Sequence, residues 1–221
     1  MMGRAEAGEL VGTGLLLYVI VGSGIAVDRL DADPASGLFF HAAAVGIGLA
    51  VLIALLASTS GAHFNPAVTL AAWRRRSLSG STAFKYVLAQ LLGAAVGLLV
   101  ALTSFGAQPA VSTASSTTWG PVSAEFIGTA VLVLVILGSI DQRRTTWIPA
   151  LVGAWVSAMV FSSSSTGLLN PAVTLARIFT NTYTGVPPAA APFLLAAQLL
   201  GALVAVALST RLLSPLEPKG T

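Results

Sequence analysis

Gly61-Ala62-His63-Phe64-Asn65-Pro66-Ala67-Val68-Thr69-Leu70-Ala71 returns later in the chain as Gly167-Leu168-Leu169-Asn170-Pro171-Ala172-Val173-Thr174-Leu175-Ala176. Seven consecutive residues, Asn-Pro-Ala-Val-Thr-Leu-Ala, are identical in the two copies. Each copy follows a long apolar run and is too short to cross a bilayer. Asn is a leading helix N-cap, and Pro is favoured at the first helical position. Asn65-Pro66-Ala67 and Asn170-Pro171-Ala172 therefore mark two helix starts. The spacing predicts short helices over 66–74 and 171–179.

The composition around the pair is that of a polytopic membrane protein. Of 221 residues, 55% are hydrophobic and 9% charged, with a mean hydropathy of +0.87; soluble domains carry roughly 25% charged residues. A span needs about 20 apolar residues. Six are expected, over 7–27, 38–57, 84–104, 122–140, 147–161 and 191–213. The fifth is short and runs into Ser162-Ser163-Ser164-Ser165-Thr166. The apolar run at the N-terminus continues into the first span with no cleavage pattern.

Basic residues set the expected orientation. With both termini cytoplasmic, Arg4, Arg74, Arg75, Arg76, Lys85, Arg143, Arg144, Arg211 and Lys219 share the inner side, against Arg29 and Arg177 outside. The expected outer loops, 28–37, 105–120 and 181–188, are too short for a further domain. The basic residues form no nucleic-acid patch. The chain has no cysteine and two histidines, His41 and His63, so no cofactor or metal is expected.

The repetition reaches beyond the motif. Glu9-x-x-Gly12-Thr13 opens the first span and Glu125-x-x-Gly128-Thr129 the fourth. Ala89-Gln90-Leu91-Leu92-Gly93-Ala94 in the third span matches Ala197-Gln198-Leu199-Leu200-Gly201-Ala202 in the sixth. The single channel domain, 1–221, thus holds two repeats, 1–105 and 121–213. Three is odd, so the second repeat lies inverted relative to the first. Inverted repeats place the functional site near the midplane, where broken helices meet.

Two helix N-termini meeting there carry about half a positive charge each. The Asn65 and Asn170 amides can turn donors toward a solute, welcoming neutral molecules with lone pairs and repelling cations. Glu9 and Glu125 either sit at the interface or accept hydrogen bonds from the re-entrant loops; their matched positions favour loop support. Gln90 and Gln198 read as scaffold. His63 reads as loop-fixing at the inner vestibule, with pore contact as the alternative. Arg74, Arg75 and Arg76 read as setting topology, with a lipid headgroup site as the alternative.

The six spans, the paired loops and the Glu-x-x-Gly-Thr openings together resemble the aquaporin, or major intrinsic protein, family. The resemblance covers nearly the whole chain. It implies an all-α integral membrane fold: six transmembrane helices and two re-entrant half-helices in a right-handed bundle. It also implies a homotetramer in the lipid bilayer with a pore in each subunit, passing water and small neutral solutes. One departure stands out. The family usually places Arg directly after the second Asn-Pro-Ala, and this chain has Val173. Carried over by spacing, the rest of the selectivity filter becomes Val45, Ala158 and Gly167, or Leu168 if the loop alignment shifts. That ring is wide and apolar. Arg177 lies one helical turn beyond Val173 and either reaches the outer mouth or faces loop and headgroups. The resemblance extends to a bacterial subgroup associated with arsenic.

The expected function is passive conduction of glycerol-like polyols and metalloid acids such as arsenite or methylated arsenicals, with water. The competing reading is an ion- or proton-coupled secondary transporter, which needs a titratable midplane group. A closed structural protein has little support, and no nucleophile and base stand together for an enzyme. The expected location is the bacterial inner (plasma) membrane.

Overall fold

The computed structural model describes residues 2–114 and 119–213. Lys219, counted above for orientation, lies outside the described residues, as does 115–118 of the second expected outer loop. The described chain is helical: α1 (Arg4–Arg29), α2 (Pro34–Ser60), α3 (Pro66–Arg74), α4 (Gly80–Ser104), α5 (Trp119–Asp141), α6 (Ile148–Ser162), α7 (Pro171–Ala176) and α8 (Ala191–Leu212). Single 3₁₀ turns precede α6 at Thr145–Trp147 and follow α7 at Arg177–Phe179. Six helices are long and apolar enough to cross a membrane, the fifth only when Thr145–Ser162 is taken whole.

Caps set the helix starts. Asp33 Oδ1 accepts from the Ala35 and Ser36 N–H groups, both at 3.1 Å, so α2 begins at Pro34 rather than at 38. Ser79 caps α4 through the Thr82 N–H at 3.1 Å, which moves that start from 84 to Gly80.

The halves repeat element by element, α1 to α4 and then α5 to α8. In each, the first and last helices pack closely, α1 on α4 and α5 on α8. Small residues let the backbones approach. Gly93 and Gly97 lie against the carbonyls of Leu10 and Gly14, and Gly201 lies against that of Phe126. Across the halves α2 packs on α6, where Gly46 and Gly153 leave room for each other's backbone. The outer faces carry apolar side chains such as Phe39, Ile47, Val51, Leu55, Leu88 and Leu92, exposed as lipid-facing residues are.

Candidate functional site

The two loops before the half-helices share one backbone. Ala62 and Phe64 have φ of 51° and 48°; Gly167 and Leu169 have 62° and 50°. Three of these four residues are not glycine, and each such left-handed residue costs about 1–2 kcal/mol. Neighbouring side chains hold them there.

Glu9 and Glu125 do most of this. Glu9 is fully buried. Its Oε1 accepts from the Ser60 hydroxyl at 2.6 Å and the His63 N–H at 3.0 Å. Its Oε2 accepts from the Phe64 N–H and from Gln90 Nε2, both at 2.7 Å. Glu125, also fully buried, accepts from the N–H groups of Leu168 at 2.9 Å and Leu169 at 2.6 Å, and from Gln198 Nε2 at 2.6 Å. Each glutamine also donates to a threonine of the following half-helix, Gln90 to Thr69 at 2.9 Å and Gln198 to Thr174 at 2.8 Å. Carboxylate, amide and hydroxyl thus brace each loop from the same three positions in both halves. Gly12 and Gly128 make room for the side chains of Phe64 and Leu169, the residues just before the two asparagines.

Asn65 and Asn170 cap α3 and α7. Asn65 Oδ1 accepts from the Ala67 N–H at 2.8 Å, and Asn170 Oδ1 from the Ala172 N–H at 3.0 Å. The cap fixes which end of each amide is the donor. Asn65 Nδ2 donates to the Leu169 carbonyl at 2.7 Å, and Asn170 Nδ2 to the Phe64 carbonyl at 2.8 Å. The loops are therefore cross-tied at the point where the half-helices meet. An amide nitrogen has two hydrogens, so one per asparagine remains.

That remaining hydrogen has space to face. A cavity of about 360 Å³ runs between the halves, with His41 and Arg177 toward one end and Ser77, Leu78 and Ile140 toward the other. Its walls are built at helical spacing. α2 contributes His41, Val45, Leu49 and Ile53, and α6 contributes Ile148, Val152, Val156 and Val160. The α2 stretch alone covers about 18 Å at 1.5 Å per residue. The re-entrant loops line it too, and among the described residues no protein donor reaches the carbonyls of Gly61, Ala62, His63, Thr166, Gly167 or Leu168. The cavity is thus a line of acceptors and two amide donors set against aliphatic walls.

The histidine tautomers follow from their partners. The Ser23 hydroxyl gives its proton to the Ile20 carbonyl at 3.1 Å, so it accepts from His41 Nδ1–H at 2.8 Å, and Nε2 is left as an acceptor. The Thr69 hydroxyl accepts from Gln90 and can donate to His63 Nδ1 at 3.1 Å, which puts the His63 proton on Nε2. His63 both braces its loop and lines the cavity.

Of the expected filter positions, Val45, Gly167 and Val173 line the cavity, and so does Leu168. Ala158 does not: it is exposed and lies in a shallow surface groove with Leu134, Leu151 and Trp155. Counting back from Asn170 crosses a non-helical stretch from Ser163 onward, where spacing no longer tracks a helix face. Val156 and Val160 hold that wall instead. Arg177 reaches the cavity, and its Nε donates to the Thr184 carbonyl. Sequence reasoning passed over His41, although it stands four residues before Val45, hence on the same face.

Comparison with known proteins agrees with this geometry. The family model described as "Major intrinsic protein" matches residues 2–168. Aquaglyceroporin AqpS of Rhizobium meliloti (strain 1021) is 41% identical over 217 residues, covering 97% of this chain and 92% of that one. The glycerol uptake facilitator protein of Haemophilus influenzae is 30% identical over 180 residues, covering 69% and 67%. The X-ray structure of the aquaglyceroporin from Plasmodium falciparum superposes with a TM-score of 0.78 at 22% identity, covering 96% of this chain and 97% of that one. The chain belongs to the major intrinsic protein family, whose members are multi-pass membrane channels and not enzymes.

Proposed function

We propose that this chain is a passive channel for neutral hydroxylated solutes broader than water, glycerol-like polyols above all, with water passing beside them. The observation that carries the reading is the two-sided cavity. Free loop carbonyls and the Asn65 and Asn170 amides form a polar line facing the valines and leucines of α2 and α6. A polyol presents hydroxyls on one edge and carbon on the other, and such a wall matches both. Val45, Gly167 and Val173 add bulk no greater than valine and no charge, so the passage stays wide at the filter level. Metalloid acids such as arsenite or methylated arsenicals are neutral and hydroxylated and belong to the same class. No thiol is present to trap trivalent arsenic.

A coupled transporter needs a free titratable group at the midplane. Among the described residues, both carboxylates near it, Glu9 and Glu125, are already taken up by loop N–H and amide donors. The same reading puts a homotetramer in the bacterial inner membrane with both termini cytoplasmic, residues 1–105 and 121–213 being inverted repeats of one channel domain.

Val173→Arg tests the filter. In proteoliposomes followed by light scattering, glycerol, urea and arsenite flux should fall about tenfold or more, equivalent to roughly 1.4 kcal/mol of added barrier. Water flux should fall less. Unchanged bulky-solute flux would show that Val173 does not stand at the narrow part of the path.

A further inference from the structure

We propose that His41 and Arg177 form an outer polar collar, one helical turn beyond the Val45–Val173 level, that selects solutes by hydrogen bonding and excludes cations. The proposal rests on the conducting cavity described above and assigns its specificity to residues outside the expected filter.

Both residues line the cavity. His41 stands four residues before Val45 on α2, and Arg177 four residues after Val173, so each continues a pore-facing stripe outward. Arg177 is 5% exposed and His41 2% exposed, so neither is a surface group reaching into water. The Arg177 Nε–H is held by the Thr184 carbonyl, and the Arg177 carbonyl accepts from the Val186 N–H at 3.0 Å. Its two Nη groups meet no protein acceptor among the described residues. His41 has its Nδ1 proton on Ser23 and its ring edge-on to Tyr183 at 5.6 Å between centroids, leaving the Nε2 lone pair free. The Tyr183 N–H is tied to Asp28 at 2.9 Å, and Thr184 packs against Gly24 of α1. The collar is therefore a built site: a buried guanidinium fork with spare donors beside a buried imidazole with a spare acceptor.

The internal repeat shows that the other half builds the same scaffold without these two residue types. The bracing residues match between halves: Glu9 with Glu125, Gln90 with Gln198, Thr69 with Thr174, Asn65 with Asn170. The cavity-facing pair Val68 and Val173 also matches. Seven residues after each asparagine, however, Ala72 stands opposite Arg177 in register. On the helix faces His41 corresponds to Ile148, each beginning a stripe of four lining residues. Two apolar residues serve one mouth and two polar residues the other.

Such a pair fits a neutral solute carrying a hydroxyl, whose proton goes to His41 Nε2 and whose lone pairs accept from Arg177. A cation meets a buried positive charge, and the nearest carboxylates are already engaged, Glu125 by the Leu168 and Leu169 N–H groups and Asp28 by the Tyr183 N–H.

The chain's lack of cysteine allows a test that needs no assumption about the solute. His41→Cys, reconstituted in vesicles, is treated on both faces with membrane-impermeant methanethiosulfonates, one anionic (sulfonatoethyl) and one cationic (trimethylammonioethyl). We expect modification that blocks water flux in H41C and not in the parent. The anionic reagent should react faster than the cationic one by about tenfold beyond the ratio for a free thiol. Adding Arg177→Lys should keep that preference and Arg177→Gln should remove it. A free-thiol rate ratio in H41C, or an inert thiol in vesicles that conduct water, overturns the proposal even if R177Q does not fold. Failure of glycerol conduction in the parent would instead overturn the solute class and leave this result intact.

Discussion

Replacing Glu125 by Gln removes one charge and almost no volume, so it isolates what the carboxylate does. In the native loop that group accepts three hydrogen bonds, from the Leu168 and Leu169 N–H groups and from Gln198 Nε2. An amide offers one acceptor oxygen and one donor nitrogen. Two of the three bonds can be kept on the oxygen. Each falls from a charged bond of about 1.5–3 kcal/mol to a neutral one of about 0.5–1.5 kcal/mol, a loss of roughly 2 kcal/mol for the two. The third donor then faces an NH2 group and is left buried without a partner, at about 1–3 kcal/mol. The sum is about 4 kcal/mol. For a domain of this length each kcal/mol shifts the midpoint by about 2–4 °C, so E125Q should melt about 10 °C below the parent. With Trp73, Trp119 and Trp147 replaced by Phe, the remaining Trp155, whose Nε1 donates to the Gly128 carbonyl at 2.9 Å, gives a local fluorescence signal for the melt. Glu9→Gln should cost more, because Glu9 accepts four bonds. Glu125→Ala and Gln198→Ala should be non-additive by about 1 kcal/mol or more, since each removes the other's partner. Variants that melt within a degree or two of the parent would refute the reasoning, because the loops would then keep their backbone without the two carboxylates.

Gly12→Ala drives a methyl group into the Phe64 ring, and Gly128→Ala drives one into the Leu169 and Met159 side-chain ends. Overpacking costs about 1–3 kcal/mol, and the flexible Met159 should make G128A the milder of the two in the same melt. Asn65→Asp keeps the cap acceptor for Ala67 but sets a carboxylate against the Leu169 carbonyl. It should destabilise the midplane and admit cations, read as a proton leak with an entrapped pH dye; a proton-tight N65D would show that the midplane amides do not govern charge exclusion.

Hydropathy, the Asn-Pro pairs and the matched Glu-x-x-Gly-Thr openings were enough to place six spans and two half-helices, because those features act locally. Helix starts at Pro34 and Gly80 were missed because their caps, Asp33 and Ser79, lie outside the apolar windows. Ala158 was misplaced because α2 runs helical to Ser60, close to its asparagine, whereas α6 stops at Ser162 and the chain turns through Ser163 and Thr166. Arg177 could be assigned to the Val173 face from spacing alone. Its choice between cavity and headgroup depends on the loop after Phe179 folding back so that Thr184 and Val186 hold it, a contact with no periodic trace. His41 went unread because a lone histidine in an apolar run is legible only once its facing partner is known.

The bracing groups obey the internal repeat while the groups at the two mouths do not, and this separates stability from selectivity. It does not follow that the asymmetric pore favours one direction. A passive channel obeys detailed balance: the collar of His41 and Arg177 shapes one set of barriers, and every solute crosses the same set in either direction. Its effect is on which solutes pass. Influx and efflux permeabilities for glycerol, measured on the same vesicles at low and equal gradients, should therefore agree for the parent. They should still agree after Val173→Arg, although both fall. A ratio that departs from unity in the parent and responds to membrane potential would mean that transport is coupled to an ion. The neutral-channel reading would then fail whatever the filter residues do.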